Sequence, residues 1–274
     1  MNEERMAPCS CLMVVSPCDD PIELSAALRS IGIEQRLAAA EYVFVLNGQL
    51  TSATHNSIEH FTAAAIGAVK VVKTATTKTL SEALNLGLNH CTQELVARMD
   101  PDDVSHPDRF QRQAEVFTVN REISILGSWI AEFRELDGTH RVRKFPQGHD
   151  DISKLARFRN PLAHPAVMFR RRAIEELGGY PLVDKAQDYL LWSRAIAQGY
   201  KIGNVQEVLL NFRVNSKLLA RRDITYLKSE KAIAQLMRRE GFLNIHQYYL
   251  IILSKSILRL MPLIIRKVLY RIRS

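Results

Sequence analysis

The sequence predicts an α/β protein in which helices flank a mostly parallel sheet. Two observations support this fold class. Short runs rich in β-branched residues, at 12–16, 42–46, 68–73, 94–99 and 123–129, alternate with helical patterns at 21–30, 54–66, 80–90 and 107–119. Several of the helical segments open with Ser, Thr, Asp or Pro, as helix starts do. Such alternation is typical of βαβ units, whose strands run parallel.

The second half of the chain has a less regular pattern. Segments 131–136 and 141–145, separated by Asp137 and Gly138, predict a hairpin added to the sheet. Further predictions are a strand near 166–169, a helix that ends at Gly178 and Gly179, a helix near 187–198 and strands around 203–212. Residues 223–239 are helical in pattern, and a basic, apolar tail follows them.

Charge and cysteine content limit the classes of function. The chain has 274 residues, 47% apolar content and a formal net charge of +8, but residues 242–274 contain six Lys or Arg and no acid. The first 241 residues therefore carry only +2, and we expect no nucleic-acid surface on the main body. No Cys-x-x-Cys spacing occurs, which predicts reduced thiols in a cytosolic protein.

Three aspartates follow the fourth predicted strand. Asp100, Asp102 and Asp103 lie where that strand ends, at the edge of an α/β sheet where ligands bind. Three carboxylates within four residues repel one another, and a divalent cation would offset the repulsion. Their oxygens suit Mg²⁺ or Mn²⁺, which can bridge two phosphates. The alternative is a solvated loop that caps the next helix, with Asp103 or Ser105 as the N-cap.

Five segments together resemble a known family. They are LNLGL at 84–88, ARMDPDD at 97–103, HPDRF at 106–110, NPLAHP at 160–165 and DYLLW at 188–192. In this combination the chain resembles the family 2 glycosyltransferases of the GT-A fold, notably the branch that builds bacterial lipopolysaccharide and exopolysaccharide. The resemblance extends from about residue 12 to residue 213.

The resemblance implies an inverting transfer of a sugar from a nucleotide-diphosphate donor to a hydroxyl group of a cell-envelope glycan. It implies that Asp100 and Asp102 form an Asp-x-Asp motif that binds the ribose and the metal-diphosphate, with Asp103 adjoining. It also implies that Asp188 is the catalytic base. A carboxylate can accept the proton of an acceptor hydroxyl. The alternative for Asp188, at the start of a predicted helix, is an N-cap.

Three more residues are assigned to the donor site. Arg98 belongs to the same segment as the three aspartates. Asn47 follows the second predicted strand, where the family often has an aspartate. Asp19 follows the first predicted strand and could hold the base or the ribose, and its alternative is a turn before Pro21.

Three residues are assigned to the acceptor or the diphosphate. His164 precedes a proline, and its alternative is a turn residue. Arg170 could contact phosphates in a bidentate manner, or it could simply begin a solvated helix. Trp192 could stack on a sugar face, although its helical spacing from Asp188 is also typical of a core position.

We expect a glycosyltransferase domain at 1–222, with a nucleotide-binding half at about 1–105 and an acceptor half at about 106–222, and a helical, membrane-proximal extension at 223–274. In the extension, Lys255, Arg259, Arg266 and Arg273 fall on nearly one azimuth of an ideal helix beside apolar residues, and Pro262 divides it. This pattern favours a cytoplasmic protein held on the inner membrane surface. The alternative is packing on the catalytic body or in a homodimer.

Two other functions are alternatives to sugar transfer. A nucleotidyltransferase acting on sugar phosphates also needs clustered carboxylates, but it usually has a Gly-rich phosphate loop near the first strand, and residues 18–21 supply none. The other is a non-catalytic glycan-binding scaffold of the same fold. The presence of both Asp102 and Asp188 argues against it.

Overall fold

The structure is a computed structural model, and it describes residues 8–134, 138, 140–214 and 225–260. The strands are β1 (Cys9–Val15), β2 (Glu41–Asn47), β3 (Ala68–Thr74), β4 (Leu95–Met99), β5 (Val104–Ser105), β6 (Ile123–Phe133), β7 (His140–Arg143), β8 (Met168–Arg170) and β9 (Lys201–Arg213). The helices are α1 (Pro21–Ile31), α2 (Ser52–Ala64), α3 (Leu80–Leu88), α4 (Arg109–Val119), α5 (His149–Ala156), α6 (Arg171–Glu176), α7 (Gln187–Ala197), α8 (Thr225–Arg239) and α9 (Ile245–Leu260).

All nine strands of the described residues belong to one sheet, in the order β3-β2-β1-β4-β8-β6-β9-β5, with β7 paired to β6. The first four strands in this order are parallel. Strand β8 runs antiparallel to both β4 and β6, whereas β6 and β9 are parallel. The predicted α/β class is therefore confirmed, and each antiparallel pair among the described strands includes a strand from the second half of the chain.

Helices cover both faces of the parallel part, which explains why β1, β2 and β4 are buried along their whole length. Helix α3 approaches β1 and β2 very closely. A Cβ atom at Gly87 would lie 2.4 Å from a methyl group of Leu12 and 2.8 Å from one of Val45. Glycine in the LNLGL segment therefore lets the helix rest directly on the sheet.

The second half differs from the sequence prediction in three places. The predicted strands at 123–129 and 131–136 form the single strand β6, which continues through register shifts after Ser128. The segment around 203–212 is likewise one strand, β9. Helix α5 was not predicted. The predicted hairpin is confirmed, because Phe133 of β6 pairs with His140 of β7.

The two C-terminal helices pack on α7 through a small apolar cluster that includes Leu190, Met237 and Ile251. None of the described helices combines the length and the apolar character needed to cross a membrane. Lys255 lies against Glu230 of α8, with Nζ and Oε1 3.3 Å apart. Arg266, Arg273 and Pro262 lie outside the described residues.

Candidate active site

The three aspartates lie between β4 and β5, beyond the carboxyl end of a central parallel strand. One carboxylate oxygen of each aspartate lies within 4.8 Å of the corresponding oxygens of the other two. Asp103 is buried and accepts a hydrogen bond of 2.8 Å from the backbone N–H of Arg213 at the end of β9. The Nε atom of Arg213 donates to the backbone oxygen of Asp102. These two hydrogen bonds attach the loop between β4 and β5 to the end of β9.

This crowding raises two pKa values. Burial and the neighbouring charge of Asp100 raise the pKa of Asp102 to about 6. The same two causes, together with Asp102, raise the pKa of Asp103 well above its ordinary value. The Oδ2 atom of Asp103 is buried and has no hydrogen-bond partner among the described residues. Three clustered carboxylates, one of them with a buried oxygen that makes no hydrogen bond within the described part of the chain, fit a divalent cation such as Mg²⁺ or Mn²⁺.

Arg98 lies near the end of β4, next to this cluster, and only 2% of its surface is exposed. Its guanidinium forms an ion pair with Asp100. Its Nε and Nη1 atoms are buried without a hydrogen-bond partner in the described part of the chain. A buried arginine in a central strand is costly unless it is paired, so its position points to a role at this edge of the sheet.

Asp188 is the second residue of α7. The residue before this helix, Ala186, has a left-handed backbone with φ of 57°, a conformation that costs energy in a residue with a Cβ atom. The amide of Asn160 donates a hydrogen bond of 2.5 Å to Asp188 Oδ2. Burial raises the pKa of Asp188, while the N–H of Tyr189, the amide of Asn160 and the charge of Arg98 partly offset that effect.

Arg98 connects the two acidic centres electrostatically. Its positive charge acts on Asp100, on Asp103 and on Asp188. The phenol of Tyr180 is influenced by Arg98, Asp188 and Asp100 together. The structure therefore brings the predicted base and the predicted metal ligands into one charged network.

Two of the predicted acceptor residues, His164 and Trp192, are buried next to Tyr180 or to each other. His164, in a 3₁₀ turn at His164–Ala166, is buried, and its Nε2 atom lies 3.1 Å from the hydroxyl of Tyr180. Burial and then the charge of Arg98 lower its pKa well below the ordinary value, so it is neutral. Trp192 is fully buried beside His164, with 6.0 Å between ring centroids. Its indole is a core group and offers no open face to a sugar.

The structure does not bring Arg170 to the carboxylates. Arg170 pairs with Leu95 at the amino end of β4, whereas Asp100 follows the carboxyl end. Its guanidinium binds Glu94 and the backbone oxygens of Ile123 and Phe117. All three contacts fasten β8 to its neighbours.

The other donor-site candidates hold loops at the same edge of the sheet. Asn47 is buried and exchanges two hydrogen bonds with the backbone of Lys78, so its amide holds the loop before α3. Asp19 accepts a hydrogen bond of 2.7 Å from the N–H of Ser16 in the turn after β1. Asp20 caps α1. The structure shows these local roles and leaves nucleotide contacts for Asn47 and Asp19 as predictions.

Some positioning residues were missed from the sequence. Arg109 is fully buried and donates to the backbone oxygen of Arg98 at 2.7 Å, so it supports the end of β4. Asn85 of α3 makes two hydrogen bonds with the backbone of Tyr180. Both residues lie in segments that carry the family resemblance, Asn85 in LNLGL and Arg109 in HPDRF. Their place in these segments was the one sequence signal that pointed to them.

Comparisons with known proteins decide the family. The family model described as Glycosyl transferase family 2 matches residues 24–178, which is more than half of the chain. The chain belongs to glycosyltransferase family 2. This confirms the predicted enzyme class.

This glycosyltransferase is similar to bacterial proteins over nearly their whole length. A UDP-Gal:alpha-D-GlcNAc-diphosphoundecaprenol beta-1,3-galactosyltransferase of Escherichia coli is 31% identical over 263 residues, which cover 96% of this chain and 94% of that protein. The amylovoran biosynthesis glycosyltransferase AmsE of Erwinia amylovora is 32% identical over 256 residues, which cover 92% and 94% of the two chains.

Solved structures show the fold of the enzyme. The mannosyltransferase PcManGT from Pyrobaculum calidifontis, in complex with GDP-Man and Mn2+, matches with a TM-score of 0.63 at 16% identity and covers 91% of this chain and 69% of that one. S. aureus TarS 1-349 in complex with UDP-GlcNAc matches with a TM-score of 0.63 at 15% identity, covering 84% and 66%. The fold is GT-A, as the resemblance implied.

Proposed function

We propose that this enzyme transfers a sugar, with inversion, from a nucleoside diphosphate sugar to a hydroxyl group of a bacterial cell-envelope glycan. The observation that carries the proposal is the placement of three clustered carboxylates and of Asp188 around one buried arginine, Arg98. Family membership favours sugar transfer over nucleotidyl transfer. The similar galactosyltransferase, named for a diphosphoundecaprenol acceptor, supports a lipid-linked glycan as acceptor.

The donor diphosphate lies at the carboxylate cluster. Asp100, Asp102 and Asp103 would hold Mn²⁺ or Mg²⁺, whose charge would stabilise the departing nucleoside diphosphate. Arg98 holds the carboxylate of Asp100 by their ion pair. Its fixed charge also reduces the repulsion among the three acids, so the cluster keeps its shape before a donor binds.

Asp188 acts on the acceptor. Its ionised carboxylate accepts the proton of the acceptor hydroxyl while that oxygen forms a bond to the anomeric carbon of the donor sugar. The bond from that carbon to the diphosphate oxygen breaks, and the nucleoside diphosphate leaves with the electron pair. Asn160 orients the carboxylate through its hydrogen bond. A single displacement of this kind inverts the anomeric configuration.

The enzyme works on the cytoplasmic face of the membrane. Nucleotide sugars are dissolved on that side, and a lipid-linked acceptor presents its sugar at the surface. The exposed side chains of Tyr249, Leu250 and Leu253 on α9, followed by the basic residues of 261–274, support this location.

The test measures nucleotide release and product formation with a panel of nucleoside diphosphate sugars, UDP-galactose first, and a GlcNAc-diphospho-lipid acceptor, in Mn²⁺ or EDTA. We expect Asp188→Asn to lower kcat by about 10²–10⁴-fold, the typical contribution of a general base, with donor affinity retained. Asp151→Asn, at an exposed ion pair on α5, is the matched control and keeps full activity. Transfer that is unaffected by Asp188→Asn, or no turnover of any donor, refutes the proposal.

A further inference from the structure

A cavity of about 260 Å³ lies between the amino end of α7, the segment 157–160 and the two C-terminal helices. None of its lining residues belongs to the carboxylate cluster. Ligand sites in proteins have volumes of about 300–1,000 Å³. This cavity is slightly smaller, so it can hold one part of a larger ligand, such as its head group.

The cavity adjoins the proposed base. Asn160 lines it and also donates the hydrogen bond to Asp188. Ala186 and Tyr189, on either side of the first turn of α7, line it as well. A molecule seated there therefore extends directly towards the carboxylate of Asp188.

The lining has an excess of positive charge. Arg157, Arg159 and Lys185 are exposed at the cavity. Its one acid, Glu230, forms an ion pair with Lys255. Arg157 and Arg159 make no ion pair within the described ranges, so their guanidinium groups are available to an anion. Arginine binds phosphate oxygens in a bidentate manner, and this needs no metal ion.

The inner wall of the cavity is apolar. Ile233, Met237 and Ile251 of α8 and α9 line it and are buried. Helix α9 continues with the exposed side chains of Leu250 and Leu253. A cationic rim over an apolar wall is complementary to an amphiphile that has a phosphate head and a hydrocarbon chain.

We infer that this cavity binds the diphosphate and the first part of the lipid chain of the acceptor, a sugar carried on a polyprenyl diphosphate. The inference rests on the proposed function and adds where the acceptor binds. The two diphosphates of the reaction then occupy separate sites: the donor's lies at the acidic cluster and the acceptor's lies among the arginines. The acceptor's sugar extends from the cavity to Asp188.

Binding of farnesyl diphosphate in EDTA tests the cavity apart from turnover, because chelation removes the metal that the donor site would need. We expect the double variant Arg157→Gln, Arg159→Gln to bind this probe at least 10-fold more weakly than the wild type. Farnesol, which lacks the diphosphate, should bind weakly to both proteins. The control Arg29→Gln, Arg36→Gln removes two arginines that are also exposed, at 62% and 71%, and keeps wild-type affinity.

Kinetics give the second measurement, with the same acceptor sugar on a prenyl diphosphate or on a simple alkyl group. The Arg157, Arg159 double variant should raise KM for the diphosphate acceptor at least 10-fold and leave the alkyl acceptor and the donor KM unchanged. Equal losses with both acceptors, or probe binding that the double variant leaves intact, overturn the inference while sugar transfer stands. A wild-type enzyme that binds the probe but turns over no donor overturns the proposed function instead.

Discussion

The hydrogen bond from Asn160 to Asp188 makes the pH dependence of the reaction testable. A base must be ionised, so kcat/KM falls as pH drops through the pKa of Asp188, which burial raises. Arg98 and the amide of Asn160 oppose that rise. Removing the amide by Asn160→Leu should move the acidic limb to higher pH by about 1–2 units, because such a bond to a charged group is worth about 1.5–3 kcal/mol. A pH profile with an unmoved limb would contradict Asp188 as the base.

A second buried carboxylate, Glu41, serves stability. Burial raises its pKa, but hydrogen bonds from Lys70, Ser10 and Thr92 outweigh burial, and the pKa is lowered. A lowered pKa gives stability that is present above the unfolded-state value, about 4.3, and is lost as pH falls through the folded-state value. Glu41→Gln should therefore reduce the free energy of unfolding at pH 7 by about 1–3 kcal/mol.

The measurement for Glu41→Gln is urea unfolding at pH 7 and pH 4. The difference from the wild type should shrink at pH 4, below the unfolded-state pKa of about 4.3, because the unfolded chain then takes up a proton that the folded carboxylate resists. Thr118→Val, which removes a hydroxyl bond to a helix carbonyl on α4, is a control whose effect should be the same at both pH values. A Glu41→Gln difference that is also independent of pH would contradict the assignment.

Residue positions were predictable where a short segment carries them. Asp100, Asp102 and Asp103 follow a strand directly, so the sheet edge fixes their position, and the resemblance implied Asp188, which stays a proposed base. Contacts between distant segments were not predictable. Asn160 reaches Asp188 across 28 residues, and no local pattern marks that pairing. The residue type of Arg170 suggested phosphate binding, but its place at the amino end of β4 is a property of the whole sheet.

At the scale of elements, the turn after α6 supports the site through a glycine pair. Gly178 and Gly179 both have positive φ, at 82° and 77°. A Cβ atom at Gly179 would lie 2.5 Å from Oδ1 of Asn85, the atom that accepts the N–H of Tyr180, whereas one at Gly178 would meet nothing within 4 Å. Only Gly179 is thus required for the contact that holds Tyr180 beside Arg98.

Alanine at each position separates these two effects. Gly178→Ala should cost only the left-handed strain, about 1–2 kcal/mol. Gly179→Ala should cost about 1–3 kcal/mol more, because the half-buried amide of Asn85 must move and its hydrogen bonds to Tyr180 are disturbed. Urea unfolding of the two variants gives the comparison, and kcat of Gly179→Ala reports on the displaced Tyr180. Equal destabilisation by the two substitutions would contradict the role of Asn85.

Elements with regular periodicity were predicted well, and irregular ones were not. Helices α1 to α4 and strands β1 to β4 alternate in short, uniform units, and the prediction found each of them. The long strands β6 and β9 pair through register shifts near Ser128, which interrupt their two-residue alternation, so they were predicted in pieces. Helix α5 buries only Ile152 and Ala156, and two positions are too few to show a helical period.

At the scale of the whole molecule, positive charge and exposed apolar side chains are both concentrated in the C-terminal segment. Six basic residues and no acid lie in 242–274, while α9 exposes Tyr249, Leu250 and Leu253. Lys255 is already paired with Glu230. Attraction to an anionic surface therefore depends mainly on the basic residues beyond it, four of which lie in 261–274, outside the described residues.

This arrangement predicts reversible binding to anionic membranes. Each basic residue near such a surface contributes about 1 kcal/mol, so replacing Arg266, Lys267, Arg271 and Arg273 together by Gln should weaken binding by about 4 kcal/mol, or nearly 10³-fold. Co-sedimentation with vesicles of equal phosphatidylglycerol and phosphatidylcholine measures the change, and vesicles of phosphatidylcholine alone should bind neither protein strongly. Raised salt should weaken wild-type binding because it screens these charges. If the quadruple variant sediments like the wild type, the basic residues do not attach the enzyme, and packing on α7 is the main role of the C-terminal helices.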